Sequence, residues 1–201
     1  PLLSLSVPPA PSPVVLPSTA PGALAALQSM SVKPAAASSP FDAARFGAPD
    51  WLPSGCNTDD LVLKRDLVGA AKVSPSSCLI ASGHLFDPYS ATWLWYSRFK
   101  QFNQVAVDQV VPFAAAWTTG ASTWTPDSRR RFANDPLELR ATGISQIAAK
   151  ARRDATGWLP PNAVGACAYV VDQVAVKIKY RLWVTPGENT SMLRVLSHCP
   201  A

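Results

Sequence analysis

The chain has 201 residues, 48% hydrophobic and only 15% charged, with seven Trp and seven Phe. That is the length of one ordinary domain with apolar residues enough for a core, which excludes a disordered chain; outside the Pro-broken N-terminus no run approaches the roughly 18 uncharged apolar residues of a bilayer span, so no transmembrane segment is expected. Eighteen Lys and Arg against thirteen Asp and Glu leave +5, which suits nucleic acid or another polyanion without requiring one, and two histidines, His84 and His198, are too few for a His-rich metal site.

Residues 1–40 hold nine of the twenty prolines and one charge, Lys33. The run Pro8-Pro9-Ala10-Pro11-Ser12-Pro13 can form neither helix nor central strand, so 1–40 reads as an extended Pro/Ala-rich linker or flexible arm. Within it, Leu24, Leu27 and Met30 recur at spacing three, giving residues 22–31 the pattern of a short helix that either docks or drifts. The domain proper is expected over 41–201. Residues 59–68 read as a helix opened by acids, and 77–86 as strand, turn and strand with the turn at Ser82-Gly83. Residues 92–99 have strand composition, and alternation puts Trp93 and Trp95 on one face, where burial in the core is expected; were that face exposed, it would be a partner surface.

Residues 104–113 read as a strand ending at Pro112, and 114–117 as a helix start. Thr125-Pro126-Asp127 opens another helix that runs to Asn134, and 137–142 is a short strand. Residues 144–155 read as a helix with Ile144, Ile147, Ala148 and Ala151 on its buried side. Asn162 caps a long helix carrying Val170, Val174 and Ile178, and Thr185-Pro186-Gly187-Glu188 is a capping box before the last one.

The cysteines, Cys56, Cys78, Cys167 and Cys199, form no C-x-x-C pair, so zinc-ribbon and thioredoxin readings fail on spacing. Two disulfides in an oxidising compartment fit best; three connectivities are open, and Cys56–Cys78 with Cys167–Cys199 is preferred because each closes a moderate loop within one half of the domain. The first residue is Pro1 rather than Met, so a processed or trimmed chain is expected, in which a signal sequence, if there was one, is not visible.

The middle and end of the chain carry a more specific pattern. Asp108-Gln109-Val110-Val111-Pro112, then a basic helix, then Arg131-Phe132-Ala133-Asn134-Asp135-Pro136-Leu137, then a helix with Lys150, then Trp158-Leu159-Pro160-Pro161-Asn162 follow one another. Cys167-Ala168-Tyr169-Val170, Gln173-Val174-Ala175-Val176-Lys177 and Leu182-Trp183-Val184-Thr185-Pro186 complete the order. This resembles the secreted actinobacterial HNH endonuclease family related to the C-terminal domain of the GmrSD restriction enzymes. The likeness spans nearly all of 41–201, and the preferred disulfide pairing agrees with the paired cysteines of that family. It implies an α+β fold: an HNH-like ββα core elaborated with a small antiparallel sheet and C-terminal helices, with two disulfides. It also implies secretion.

HNH catalysis takes a proton from water with a histidine and stabilises phosphoryl charge with one divalent ion held by a carboxylate and an Asn or His. The resemblance assigns those roles to four positions, and the chain departs at three. Asp108 remains as one metal ligand, Gln109 stands at the base position, Glu138 at the first Asn and Ile147 at the helix Asn. An amide cannot accept water's proton near neutrality, and an aliphatic side chain cannot coordinate a cation. The expectation is a catalytically inactive nuclease-like protein with no cofactor, acting as an extracellular binding or scaffold module, its partner a protein, the cell envelope or a polyanion. The alternative is a metal-dependent endonuclease with an altered site, in which Asp108 and Glu138 meet across the two strands and hold Mg²⁺ or Ca²⁺; a Glu138 that faces solvent or pairs with Arg140 or Lys150 is favoured over that arrangement.

The basic residues Arg129, Arg130, Arg131, Lys150, Arg152 and Arg153 surround the same element and are the candidate polyanion contacts. His84 beside Asp87, and His198 beside Cys199, are expected to be surface residues rather than catalytic ones.

Overall fold

The computed structural model describes residues 15–36, 40–53 and 55–200. The chain is mixed α+β, with small antiparallel sheets among the helices and both preferred disulfides, Cys56–Cys78 and Cys167–Cys199, formed.

Three strands make the first sheet: β1 (Val68–Lys72), β2 (Ile80–Asp87) and β3 (Thr92–Ser97), in that order and antiparallel. Helix α2 (Thr58–Asp66) precedes them. It is opened by the Asn57 side chain, which accepts from Asp60 N at 2.9 Å, and it carries acids in its first turn and bases in its last, as the helix dipole favours. The turn expected at Ser82-Gly83 is absent: both residues lie inside β2. Gly83 is there because Leu67 presses on it; a Cβ at that position would lie 3.0 Å from the Leu67 Cβ. Val62, Leu63, Leu67, Ile80, Leu85 and Tyr96 form the apolar cluster under this sheet.

The second sheet pairs β4 (Val105–Gln109) with β5 (Leu139–Gly143), matching Asp108 to Arg140 and Gln109 to Leu139. Between them run α3 (Phe113–Thr118) and α4 (Pro126–Ala133), the latter capped by Thr125. Helix α5 (Ile144–Lys150) follows β5 directly, completing a strand–strand–helix unit. It is shorter than the sequence suggests and turns a different face inward. Ala151 takes φ 50° and ends it, Ile144 and Ala148 are exposed, and the buried side chain is Lys150.

Helix α6 (Ala163–Lys179), capped by Asn162 Oδ1 accepting from Gly165 N at 2.7 Å, is the centre of the larger apolar cluster. Helix α7 (Pro186–Leu196) packs against it behind the expected capping box, with Glu188 accepting from Thr185 N at 2.9 Å. Of the two fates open to residues 22–31, the structure has the helix docked. α1 (Ala20–Ser29) buries Ala23 and Leu27 against α6 and α7; beyond it Lys33 N donates to Val184 O and Ala36 N to Thr118 O. Residues 20–36 thus pack on the domain rather than standing off it as an arm. The Pro-rich run 8–13 lies outside the described residues.

Candidate functional site

The strand–strand–helix unit brings three of the singled-out groups to one point. Asp108 faces α5, where the Lys150 ammonium meets its carboxylate at 2.5 Å and also donates to the main-chain oxygen of Gln109. Both side chains are almost fully buried. Burial raises the Asp108 carboxyl above its ordinary value, against the opposing pull of the Lys150 charge and hydrogen bond and of the Gln109 N–H. The one carboxylate that the resemblance retains is therefore occupied by an internal cation.

Glu138 precedes β5 and is 0% exposed, so the expected solvent-facing or cation-paired side chain is not what the fold builds. No salt bridge to Arg140 or Lys150 forms. Arg140 pairs instead with Asp172 at 2.5 Å, and both oxygens of Glu138 accept from Val111 N, at 3.2 and 3.1 Å. Burial drives this carboxyl well above the glutamate range, more strongly than the Val111 N–H and the Lys150 charge hold it down. Behind it stand side chains that periodicity did not single out for chemistry. Gln173 donates to Val110 O at 2.8 Å and to the Tyr169 hydroxyl at 2.5 Å, and Tyr89 packs edge-on to Tyr169. Burial raises both phenols well above the usual tyrosine value. The sequence signals for this network are the place of Tyr169 and Gln173 in the motifs that carry the resemblance and their i, i+4 spacing within an otherwise apolar stripe of α6.

Gln109 is among the residues that line a cleft of about 240 Å³, with Val107, Leu139, Gly47, Ala48, Pro49 and Asp59. Asp59 is the polar residue of this cleft that sequence reasoning missed; burial first, and Asp60 second, raise its carboxyl. Ile147 is half-buried on α5 and offers no donor atom. The divalent ion that the resemblance implies does not fit these residues. Asp108 is engaged, Glu138 is a buried acid bound to a backbone N–H, Ile147 is aliphatic, and no group of three or more His, Cys, Asp or Glu stands together among the described residues.

The candidate polyanion contacts are scattered in role. Arg129 is buried and donates to Arg45 O, Ala121 O and Trp124 O, closing loop carbonyls. Arg130 pairs with Asp50 at 2.6 Å, Arg131 holds Ser128 Oγ at 3.0 Å, and Arg152 lies over the Phe41 ring. Arg153 folds back onto Ala149 O and Lys150 O at the end of α5. Lys150 is interior.

His84 is exposed in β2 and lies edge-on to Trp95, 4.5 Å between ring centroids. Asp87 is buried instead, accepting from Thr142 Oγ1 and Ser90 Oγ. His198 is exposed and bonded at Nδ1 to Arg194 O, 2.8 Å away.

Compared with curated proteins, the chain is 34% identical over 197 residues to an uncharacterized secreted protein of Arthroderma benhamiae, a match covering 94% of this chain and 92% of the other. No family model matches the chain, and no solved structure matches it.

Proposed function

The chain belongs to the family of that secreted fungal protein, and from this premise we propose that it is an extracellular binding module on an HNH-nuclease-like strand–strand–helix scaffold, with no catalytic step of its own. Two disulfides and a secreted relative support the location. The observation that carries the inactive reading is the buried Lys150 ammonium on Asp108. To bind a divalent ion there, the carboxylate would have to leave a 2.5 Å ion pair. That would strand an ammonium in the interior, at a cost of several kcal/mol. No imidazole stands near to take water's proton. His84 belongs to the other sheet and is exposed, and His198 lies past the last helix.

Binding fits what the surface offers. The outward face of the three-stranded sheet carries Phe86 and Trp93, both more than half exposed, beside His84 and Trp95.

A plasmid-nicking assay with Mg²⁺, Mn²⁺ or Ca²⁺ tests the proposal. The expected result is intact supercoiled plasmid with every ion. Cleavage by the purified chain that Asp108→Ala abolishes would establish the altered-site nuclease instead.

A further inference from the structure

The three-stranded sheet has an unusual charge pattern. From Leu67 to Val107 the sole carboxylate is Asp87, and its side chain is buried. The same stretch holds Lys72, Arg98 and Lys100. Arg98 is spent on the buried Asp60, whereas neither lysine enters an ion pair among the described residues.

The two lysines lie at the same end of the sheet. Lys72 is matched to Ile80, and Val73 N donates to Leu79 O, so the turn between β1 and β2 leaves at that end. Ser82 is matched to Ser97, and Arg98 N donates to Ala81 O, so the loop between β3 and β4 leaves beside it. These two adjoining loops present large apolar side chains to water: Val73 at 43%, Phe99 at 72% and Phe102 at 83% exposed. Both are held in place: the Cys56–Cys78 bond ties the first loop to the start of α2, and Asn103 Oδ1 accepts from Ser97 N while its amide donates to Val105 O.

Exposed phenylalanines flanked by unpaired lysines, on two loops that carry no carboxylate of their own, match an interface that is anionic outside and apolar within. We propose that this end of the sheet docks on an anionic lipid surface. Phe99, Phe102 and Val73 enter the boundary between headgroups and acyl chains, and Lys72 and Lys100 meet the lipid phosphates. This names the partner of the binding module and rests on that reading.

The test is flotation of the full chain with vesicles of phosphatidylcholine alone or containing about one third phosphatidylglycerol. The chain should float with the anionic vesicles and far less with the neutral ones, and added salt should weaken the association. Phe99→Ser with Phe102→Ser should lower binding by about tenfold or more, and Lys72→Gln with Lys100→Gln by about three- to tenfold. Val164→Ser, at an exposed position of α6, should change nothing, and unchanged thermal melts would show that all variants fold. Absence of flotation, or flotation indifferent to the phenylalanine pair, overturns the proposal. So does a solution dimer that the phenylalanine pair dissociates without lipid binding, or single-stranded DNA binding through these residues in its place. The plasmid assay reads the underlying proposal separately: an uncut plasmid with no flotation removes only the lipid, whereas cleavage with flotation removes only the inactive reading.

Discussion

The two sheets invert the usual placement of side chains in different ways. Under β4 and β5 the fold buries an ammonium, two carboxyl groups and two phenols, and it engages the ammonium and both carboxyl groups. On the outer side of β1, β2 and β3 it leaves Val68, Phe86 and Trp93 exposed, with no cover from the described residues. Charge taken inside costs free energy unless each group is answered, so the first region is fixed in one arrangement. Aromatic surface left outside gains nothing until something covers it. On the proposed reading, binding belongs to the periphery and the strand–strand–helix centre is its support.

The strongest way to break that contrast is to remove the internal cation. Lys150→Met leaves Asp108 and the Gln109 carbonyl without their donor. It should destabilise the chain by about 3–5 kcal/mol in urea unfolding. A neutral result would mean that Asp108 does not need its partner and that the site is open to other cations. Next comes Cys167→Ser with Cys199→Ser, which frees a span of 32 residues joining α6 to the end of α7. From loop closure alone the loss should be roughly 3–4 kcal/mol, read as a lower midpoint in urea.

Much of this framework was readable in advance, for local reasons. Thr125, Asn162 and the Thr185–Glu188 box each cap a helix within three residues, so short-range chemistry suffices to find them. The ββα order was readable as well. What failed depends on residues distant in sequence. Gly83 looked like a turn because its partner, Leu67, lies sixteen positions earlier and arrives only when the sheet closes. Apolar spacing gave Ile144 and Ala148 to the core, while the side chain α5 buries is a lysine whose partner sits on β4. Glu138 looked solvent-facing because its N–H partner, Val111, lies on the far side of α3 and α4 in the chain. Alternation correctly put Trp93 and Trp95 on one face but could not say that the face would be wet.

A smaller effect separates the buried acid from the buried pair. Glu138 has a carboxyl raised in the fold above its unfolded value by burial. Its contribution is therefore fully present below about pH 4.3, the unfolded value, and is lost as pH rises toward the higher folded value. Glu138→Gln keeps an acceptor for Val111 N and removes the titration. Its stability relative to the parent chain should improve as pH rises above the unfolded value, with little difference near pH 4. Equal pH profiles for the two chains would mean that the carboxyl is answered as an anion, and the centre would then hold an acceptor available to a metal.

The smallest expected effect is the sharpest discriminator of the outer face. Trp93 is 61% exposed, matched across the sheet to Phe86 and edge-on to it, 5.4 Å between ring centroids. If that face is open, Trp93→Ser forfeits little beyond one cross-strand aromatic contact, and unfolding should shift by less than about 1 kcal/mol. Leu85, one position from Phe86 on the same strand but pointing inward, should cost about 2–5 kcal/mol as Leu85→Ala. Adjacent residues thus give a large and a small answer because the pleat sends one to the core and the other to water. A Trp93→Ser variant as damaged as Leu85→Ala would mean that the face is covered, by a second copy or by another part of the chain, and its aromatics would then be structural instead of waiting for a partner.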